Sequence, residues 1–213
     1  DSSTSRGLGD VYKRQERNQK GRYKEFYQAD IDIIGHNDLA IYNDALLARV
    51  IFEAFNRINF PNITFHINNR KLLNGFFKSL EIEDSTEVLR TIDKKDKIGI
   101  DKSKTLLTEI IGEDKANKTL VFINADNENT EILDNLAGFA DNDLFKEGLE
   151  ELKTLYDYMI KFGIDDKNIK IDLAITRGLD YYTSTVYETF INGYESIGLS
   201  LIHISEPTRR RGI

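Results

Sequence analysis

Residues 171–188 read Ile171-Asp172-Leu173-Ala174-Ile175-Thr176-Arg177-Gly178-Leu179-Asp180-Tyr181-Tyr182-Thr183-Ser184-Thr185-Val186-Tyr187-Glu188. The apolar residues 171–175 predict a strand, and a glycine bend after them turns the chain into a second β-rich run. The bend carries an arginine, an aspartate and two adjacent tyrosines. Polar and aromatic groups gathered at the end of a sheet strand are the usual material of a binding site. An ordinary turn between two strands would account for Gly178 but not for Arg177, Tyr181 and Tyr182 beside it.

Two further stretches lie upstream. Residues 16–35 read ERNQKGRYKEFYQADIDIIG, and residues 68–75 read Asn68-Asn69-Arg70-Lys71-Leu72-Leu73-Asn74-Gly75. Together with the first stretch they resemble the histidyl-tRNA synthetases. The run from Arg177 to Glu188 is similar to that family's signature, of Arg-Gly-Leu-Asp-Tyr-Tyr-Thr-Gly-Thr-Val-Phe-Glu type. Residues 16–35 resemble the second half of motif 2, which introduces the histidine-binding strand. Three matches in the family's own order weigh more than any one of them. The resemblance covers residues 16–198 and implies an α+β fold: a partial class II synthetase catalytic domain, its antiparallel sheet flanked by helices, with a mostly helical insertion.

On this reading the chain divides at 1–15, 16–68, 69–168, 169–198 and 199–213. The second and fourth segments form the catalytic core in two parts, and the third is the insertion. The first and last look non-native. Residues 1–15 are rich in Ser, Gly and Arg without an apolar period, and residues 199–213 end in Pro207-Thr208-Arg209-Arg210-Arg211. Resemblance stops at Gly198, before the Gly-Gly-Arg-Tyr-type loop that contributes to the family's site.

The bulk numbers set outer limits. A chain of 213 residues with 40% hydrophobic and 31% charged residues is expected to fold. Nothing in it is apolar for long enough to span a membrane, and there is no secretory signal. The absence of cysteine excludes disulfides and thiolate metal sites and fits a cytoplasmic location. His36, His66 and His203 are scattered, so no protein metal site is expected. A net charge of −7 and a pI near 5.1 argue against a broad basic surface for nucleic acid. The cluster Arg17, Lys20, Arg22 and Lys24 remains either a local patch or a solvated face.

Alternation over residues 22–34 predicts a strand with Phe26, Gln28, Asp30 and Asp32 on one side and Tyr27, Ala29, Ile31 and Ile33 on the core side. Asn37 or Asp38 could cap a helix running to residue 56, with a stripe of Leu39, Leu46, Val50, Ala54 and Ile58. Residues 62–68 have strand composition. Phe145, Leu149, Leu152, Tyr156 and Met159 recur at helical spacing, and residues 91–104 read as a solvated surface.

Gln28 and Asp32 sit four apart on the polar side of the predicted strand. An amide and a carboxylate can accept hydrogen bonds from an ammonium or an imidazole; they could equally be half-exposed polar residues on an edge. The resemblance assigns both to histidine binding. It places Arg177 at the α-phosphate of ATP, where a fixed guanidinium would hold the charge that builds on the phosphoryl oxygens. The other reading of Arg177 is an ion pair with Asp180 or Asp172. Tyr181 and Tyr182 would supply a wall and a hydroxyl for the imidazole, although paired tyrosines are often core. Arg14, in an Arg-x-Glu-Arg pattern, and Arg22 fall on ATP-binding positions of the family. Ser184 departs from the family's usual glycine and adds a Cβ there.

The reaction implied is that of a histidine–tRNA ligase, with histidine, ATP with Mg²⁺, and tRNA(His) as partners and a homodimer for the full-length protein. A non-catalytic, histidine-sensing regulatory relative is the alternative. The chain by itself is expected to be inactive. The early dimer-forming motif, the upstream glutamate-bearing loop, the third class II motif and an anticodon-binding domain are not in it.

Overall fold

The computed structural model describes residues 11–15, 25–29, 31–35, 39–60, 63–125, 127–176, 183–191 and 198–201. Strand β1 (Val11–Gln15) pairs antiparallel with β2 (Glu25–Ala29), so that Arg14 stands opposite Phe26 and Tyr12 opposite Gln28. β2 is shorter than the alternation over 22–34 predicted: residues 31–35 have no regular structure, and Ile34 there is 91% exposed. A polar–apolar alternation persists in a chain that has left its ladder, and periodicity alone cannot mark where the hydrogen bonding ends.

Helix α1 (Tyr42–Arg57) begins later than the predicted cap residues Asn37 and Asp38, which lie outside the described residues. Its buried face is also rotated from the predicted stripe. Ala45 and Ala48 are buried, with Ile41, Ile51, Phe52 and Phe55 packed around them, while Leu39, Val50, Ala54 and Ile58 are exposed. Both stripes keep helical spacing; the aromatic-rich one, at 41, 45, 48, 52 and 55, is the one that faces the core.

The central sheet runs in the order β4-β3-β5-β6, with β3 at Ile63–Asn69, β4 at Ile169–Ile171, β5 at Thr185–Ile191 and β6 at Gly198–Leu201. β3–β5 and β5–β6 are antiparallel, but β4 joins β3 in parallel, so the sheet is mixed rather than wholly antiparallel. β4 is also short. Asp172 donates its N–H to the Ile67 carbonyl, and residues 173–174 then turn, so the apolar run 171–175 is mostly a buried turn and not a strand. Leu173 and Ile175 are apolar because they enter the core.

Between β3 and β4 the chain is helical: α2 (Arg70–Ser79), α3 (Thr86–Asp93), α4 (Lys95–Ile98), α5 (Ile100–Ile111), α6 (Glu113–Ile123), α7 (Asn129–Leu136) and α8 (Asp143–Lys161). The predicted apolar face of α8 is buried, with Phe145, Leu149, Leu152, Tyr156 and Met159 each at most 8% exposed. Phe76 stacks on Phe122 at 3.9 Å between ring centroids, with Phe139 and Phe145 against them. Two glycines set the approach of α2 to α8. A Cβ on Gly148 would stand 2.2 Å from the Leu72 nitrogen, and one on Gly75 would stand 2.5 Å from the Phe145 nitrogen. With no side chain at either position the two backbones touch, and α8 arrives directly over the start of α2.

Candidate functional site

The residues around the Arg177–Glu188 run are organised from the last two positions of β3. Asn69 is extended, and its side chain caps α2 by accepting from the N–H groups of Lys71 at 2.9 Å and Leu72 at 3.3 Å. Asn68 points its amide the other way, donating to the carbonyls of Leu173 at 3.2 Å and Ile175 at 2.8 Å. Its own Oδ1 accepts from the Asn69 N–H at 2.8 Å. Both asparagines are fully buried, where an unmade bond would cost about 1–3 kcal/mol. Thr176, next to Arg177 in sequence, is held by its hydroxyl, which donates to the Leu89 carbonyl at 3.1 Å.

On the far side of 177–182, Ser184 is held by two elements. Its carbonyl accepts from the Arg70 N–H at 2.7 Å, and its hydroxyl donates to Glu151 Oε2 at 2.6 Å. The same Oε2 accepts from Asn69 Nδ2 at 2.8 Å, and Lys71 Nζ bonds Oε1 while also reaching Glu147 at 2.7 Å. Burial alone would push the Glu151 carboxyl up. The bonds from Lys71, Ser184 and Asn69 outweigh it and hold the carboxyl below its ordinary value. Glu151 is therefore a half-buried anion with three donors on it, brought to them by the glycine contact that seats α8 over α2.

Under this junction lies a second polar group. Asp44 of α1 is 6% exposed; burial pushes its carboxyl up to about 7, the nearby Thr185 hydroxyl offsets part of the rise, and the Glu151 charge adds to it. Among the described residues, Asp44 Oδ2, Thr185 Oγ1 and Tyr187 Oη have no hydrogen-bond partner. The Asp44–Thr185 contact falls short of hydrogen-bond geometry, so burial decides the direction. Tyr187 is pushed well above its ordinary value by burial, and secondarily by Asp44.

On β3, His66 Nδ1 lies 2.8 Å from Asp172 Oδ2, and the Phe190 ring lies 4.1 Å from the imidazole. Burial acts to raise the Asp172 carboxyl, but His66 and the Ala174 N–H bring it below its ordinary value. Asp172, one of the two carboxylates that could pair with Arg177, is thus engaged by His66.

Of the site residues read from sequence, Arg14 is on β1 and Gln28 on β2, and Asp32 is exposed in the irregular segment 31–35. Arg22, Arg177, Tyr181 and Tyr182 lie outside the described residues. Four of the seven expected site residues, Arg177 among them, therefore lie outside the described residues. Sequence reasoning missed Glu151, the bond from Asn69 to it, and the pairing of His66 with Asp172. On α8 nothing in the spacing separates Glu151 from Glu147 or Glu150, and only the contact with α2 selects it.

The family model for histidyl-tRNA synthetase matches residues 7–199. The chain belongs to the histidyl-tRNA synthetase family. It is 50% identical over 193 residues to the histidine–tRNA ligase of Finegoldia magna, covering 90% of this chain and 44% of that protein. To the Clostridium tetani histidine–tRNA ligase it is 50% identical over 187 residues, with 87% and 43% covered. It spans less than half the length of these relatives. Among solved structures, the histidyl-tRNA synthetase of a Nostoc species superposes with a TM-score of 0.73 at 35% identity, over 87% of this chain and 44% of that one. A Bacillus halodurans protein described as an ATP phosphoribosyltransferase regulatory subunit/histidyl-tRNA synthetase gives 0.72 at 17% identity, which speaks for the fold alone. The fold is accordingly that of a partial class II synthetase catalytic domain with a helical insertion. Among the described residues no helix is long and apolar enough to cross a membrane.

Proposed function

We propose that this chain is the histidine-activating portion of a histidine–tRNA ligase. The observation that carries the reading is the family match over residues 7–199, a span that includes both signature stretches, with 50% overall identity to two ligases and with residues 177–182 flanked in sequence by groups tied to the Asn68-Asn69 pair. In the first step a histidine carboxylate oxygen attacks the α-phosphorus of ATP. A carboxyl–phosphate bond forms, the bond from that phosphorus to the bridging oxygen breaks, and pyrophosphate leaves. In the second, a hydroxyl of the terminal ribose of tRNA(His) attacks the carbonyl and AMP leaves.

Gln28 and Asp32 would accept hydrogen bonds from the histidine ammonium and imidazole, with Tyr181 and Tyr182 giving the ring a wall and a hydroxyl. Arg177 would neutralise the oxygens of the α-phosphate as charge develops there, and Arg14 and Arg22 would bind ATP. Mg²⁺ would enter on the ATP phosphates; we assign it no protein ligand among the described residues. Catalysis of this kind is positioning and charge stabilisation without a covalent enzyme intermediate. A homodimer and a cytoplasmic location belong to the same proposal and rest on the family resemblance.

The regulatory alternative shares the fold at 17% identity, well below the identity to the ligases. L-Histidine titrated calorimetrically into the chain distinguishes the site from a bare scaffold. Saturable binding that weakens about tenfold in Gln28→Ala and Tyr182→Phe supports the reading. Binding that ignores both substitutions would contradict the residue roles.

A further inference from the structure

Glu151 is the convergence point of four elements that sequence alone does not connect. It takes Ser184 Oγ at 2.6 Å from the start of β5, Asn69 Nδ2 at 2.8 Å from the end of β3, and Lys71 Nζ from the first turn of α2, while itself standing on α8. Its side chain is 18% exposed, so these are charge-assisted bonds partly shielded from water and not a fully solvated surface pairing. Ser184 is 8% exposed, two residues after Tyr182, and its carbonyl is bonded to the Arg70 N–H. Thr185 is directly opposite Asn69 in the β3–β5 register, so the carboxylate ties together the two residues beside the point where β5 enters the sheet.

We propose that Glu151 is a positioning residue of the histidine site. It fixes the entry of β5 through Ser184, which follows Tyr182 by two residues in the chain, without itself touching substrate. Ser184 stands where the family's usual residue is glycine, and a glycine could make no such bond. The hydroxyl that departs from the signature is the group through which α8 grips it. This inference rests on the reading of Tyr181 and Tyr182 as histidine-binding residues.

The test is hydrogen exchange and L-histidine titration on the 213-residue chain, in Glu151→Gln, Ser184→Ala and the double variant. Ser184→Ala leaves Asn69 and Lys71 on Glu151, so it probes the link without removing the carboxylate. Expected is exchange about tenfold faster at the Arg70, Thr185 and Val186 amides in Glu151→Gln, with the α8 amides of Leu152 and Leu155 within about twofold of the parent. Histidine affinity falls about tenfold in Glu151→Gln and less in Ser184→Ala, and the double variant is no weaker than Glu151→Gln. A purely structural role would instead loosen α8 along with β5 and give additive losses, and that result overturns the proposal. Unchanged exchange at Arg70 and Thr185 also overturns it. If the parent chain binds no histidine, the functional reading fails by itself, and the exchange comparison, which needs no ligand, still decides whether Glu151 holds β5.

Discussion

Asn68 donates its side-chain amide to the Ile175 carbonyl at 2.8 Å, tying the end of β3 to a residue two positions before Arg177. The bond is fully buried and accompanied by a second to Leu173. Asn68→Ala removes both donors and the acceptor of the Asn69 N–H, leaving buried carbonyls without partners. The expected cost is about 3 kcal/mol in urea unfolding, with hydrogen exchange raised across 173–176. A loss within ~0.5 kcal/mol would show that these bonds are replaceable.

The α2–α8 contact gives a steric prediction. Gly148→Ala puts a methyl group 2.2 Å from a backbone nitrogen of the partner helix, and neither backbone can yield without separating the helices. Destabilisation of about 3 kcal/mol or more is expected by thermal unfolding, together with loosening of the Glu151 cluster. Gly138→Ala, whose nearest neighbour would be 3.6 Å away, is the control and should change little.

Asp44 makes stability depend on pH in an unusual direction. Its folded value, about 7, lies above the 3.8 expected when the chain is unfolded, so folding takes up a proton between the two. The contribution is fully present below about 3.8, is lost as pH rises towards 7, and is flat above. At about 1.4 kcal/mol per pH unit the interval sets an upper bound on the order of 4 kcal/mol. Asp44→Asn should therefore gain stability relative to the parent from pH 5 to pH 8, and the two should converge near pH 4. A difference independent of pH across that range would mean Asp44 stays ionised in the fold.

Glu151 and Asp172 act in the opposite sense. Both carboxyls are held below their ordinary values, so their contributions are present above the usual carboxylate range and are lost as pH falls through the folded values. Acid unfolding of Glu151→Gln should accordingly show a shallower dependence below pH 5 than the parent, measured by circular dichroism.

The family and the α8 face were legible from sequence because each rests on a local pattern: a run of specific residues, or a helical period such as 145, 149, 152, 156 and 159. The rotated face of α1 was not, since two stripes of helical spacing compete there and only packing against Phe65 chooses between them; Phe52 stands 6.5 Å from that ring. The turn at 173–174 read as strand because a buried turn is as apolar as a strand. Glu151 was invisible for a different reason. Its partners lie 33, 80 and 82 residues away in the chain, and the glycine that seats it, Gly148, looks in sequence like any helix-weakening residue.

The proposal that this stretch of chain activates histidine with Arg177 at the α-phosphate has a direct test. The most direct measurement is histidine-dependent ATP–pyrophosphate exchange in the Finegoldia magna ligase with its matching stretch replaced by residues 16–198 of this chain, with and without Arg177→Ala. The account predicts exchange within about tenfold of the parent ligase and a loss of about 100- to 1,000-fold in Arg177→Ala. A folded, histidine-binding chimera with no exchange, or an Arg177→Ala variant within twofold of it, would contradict the account.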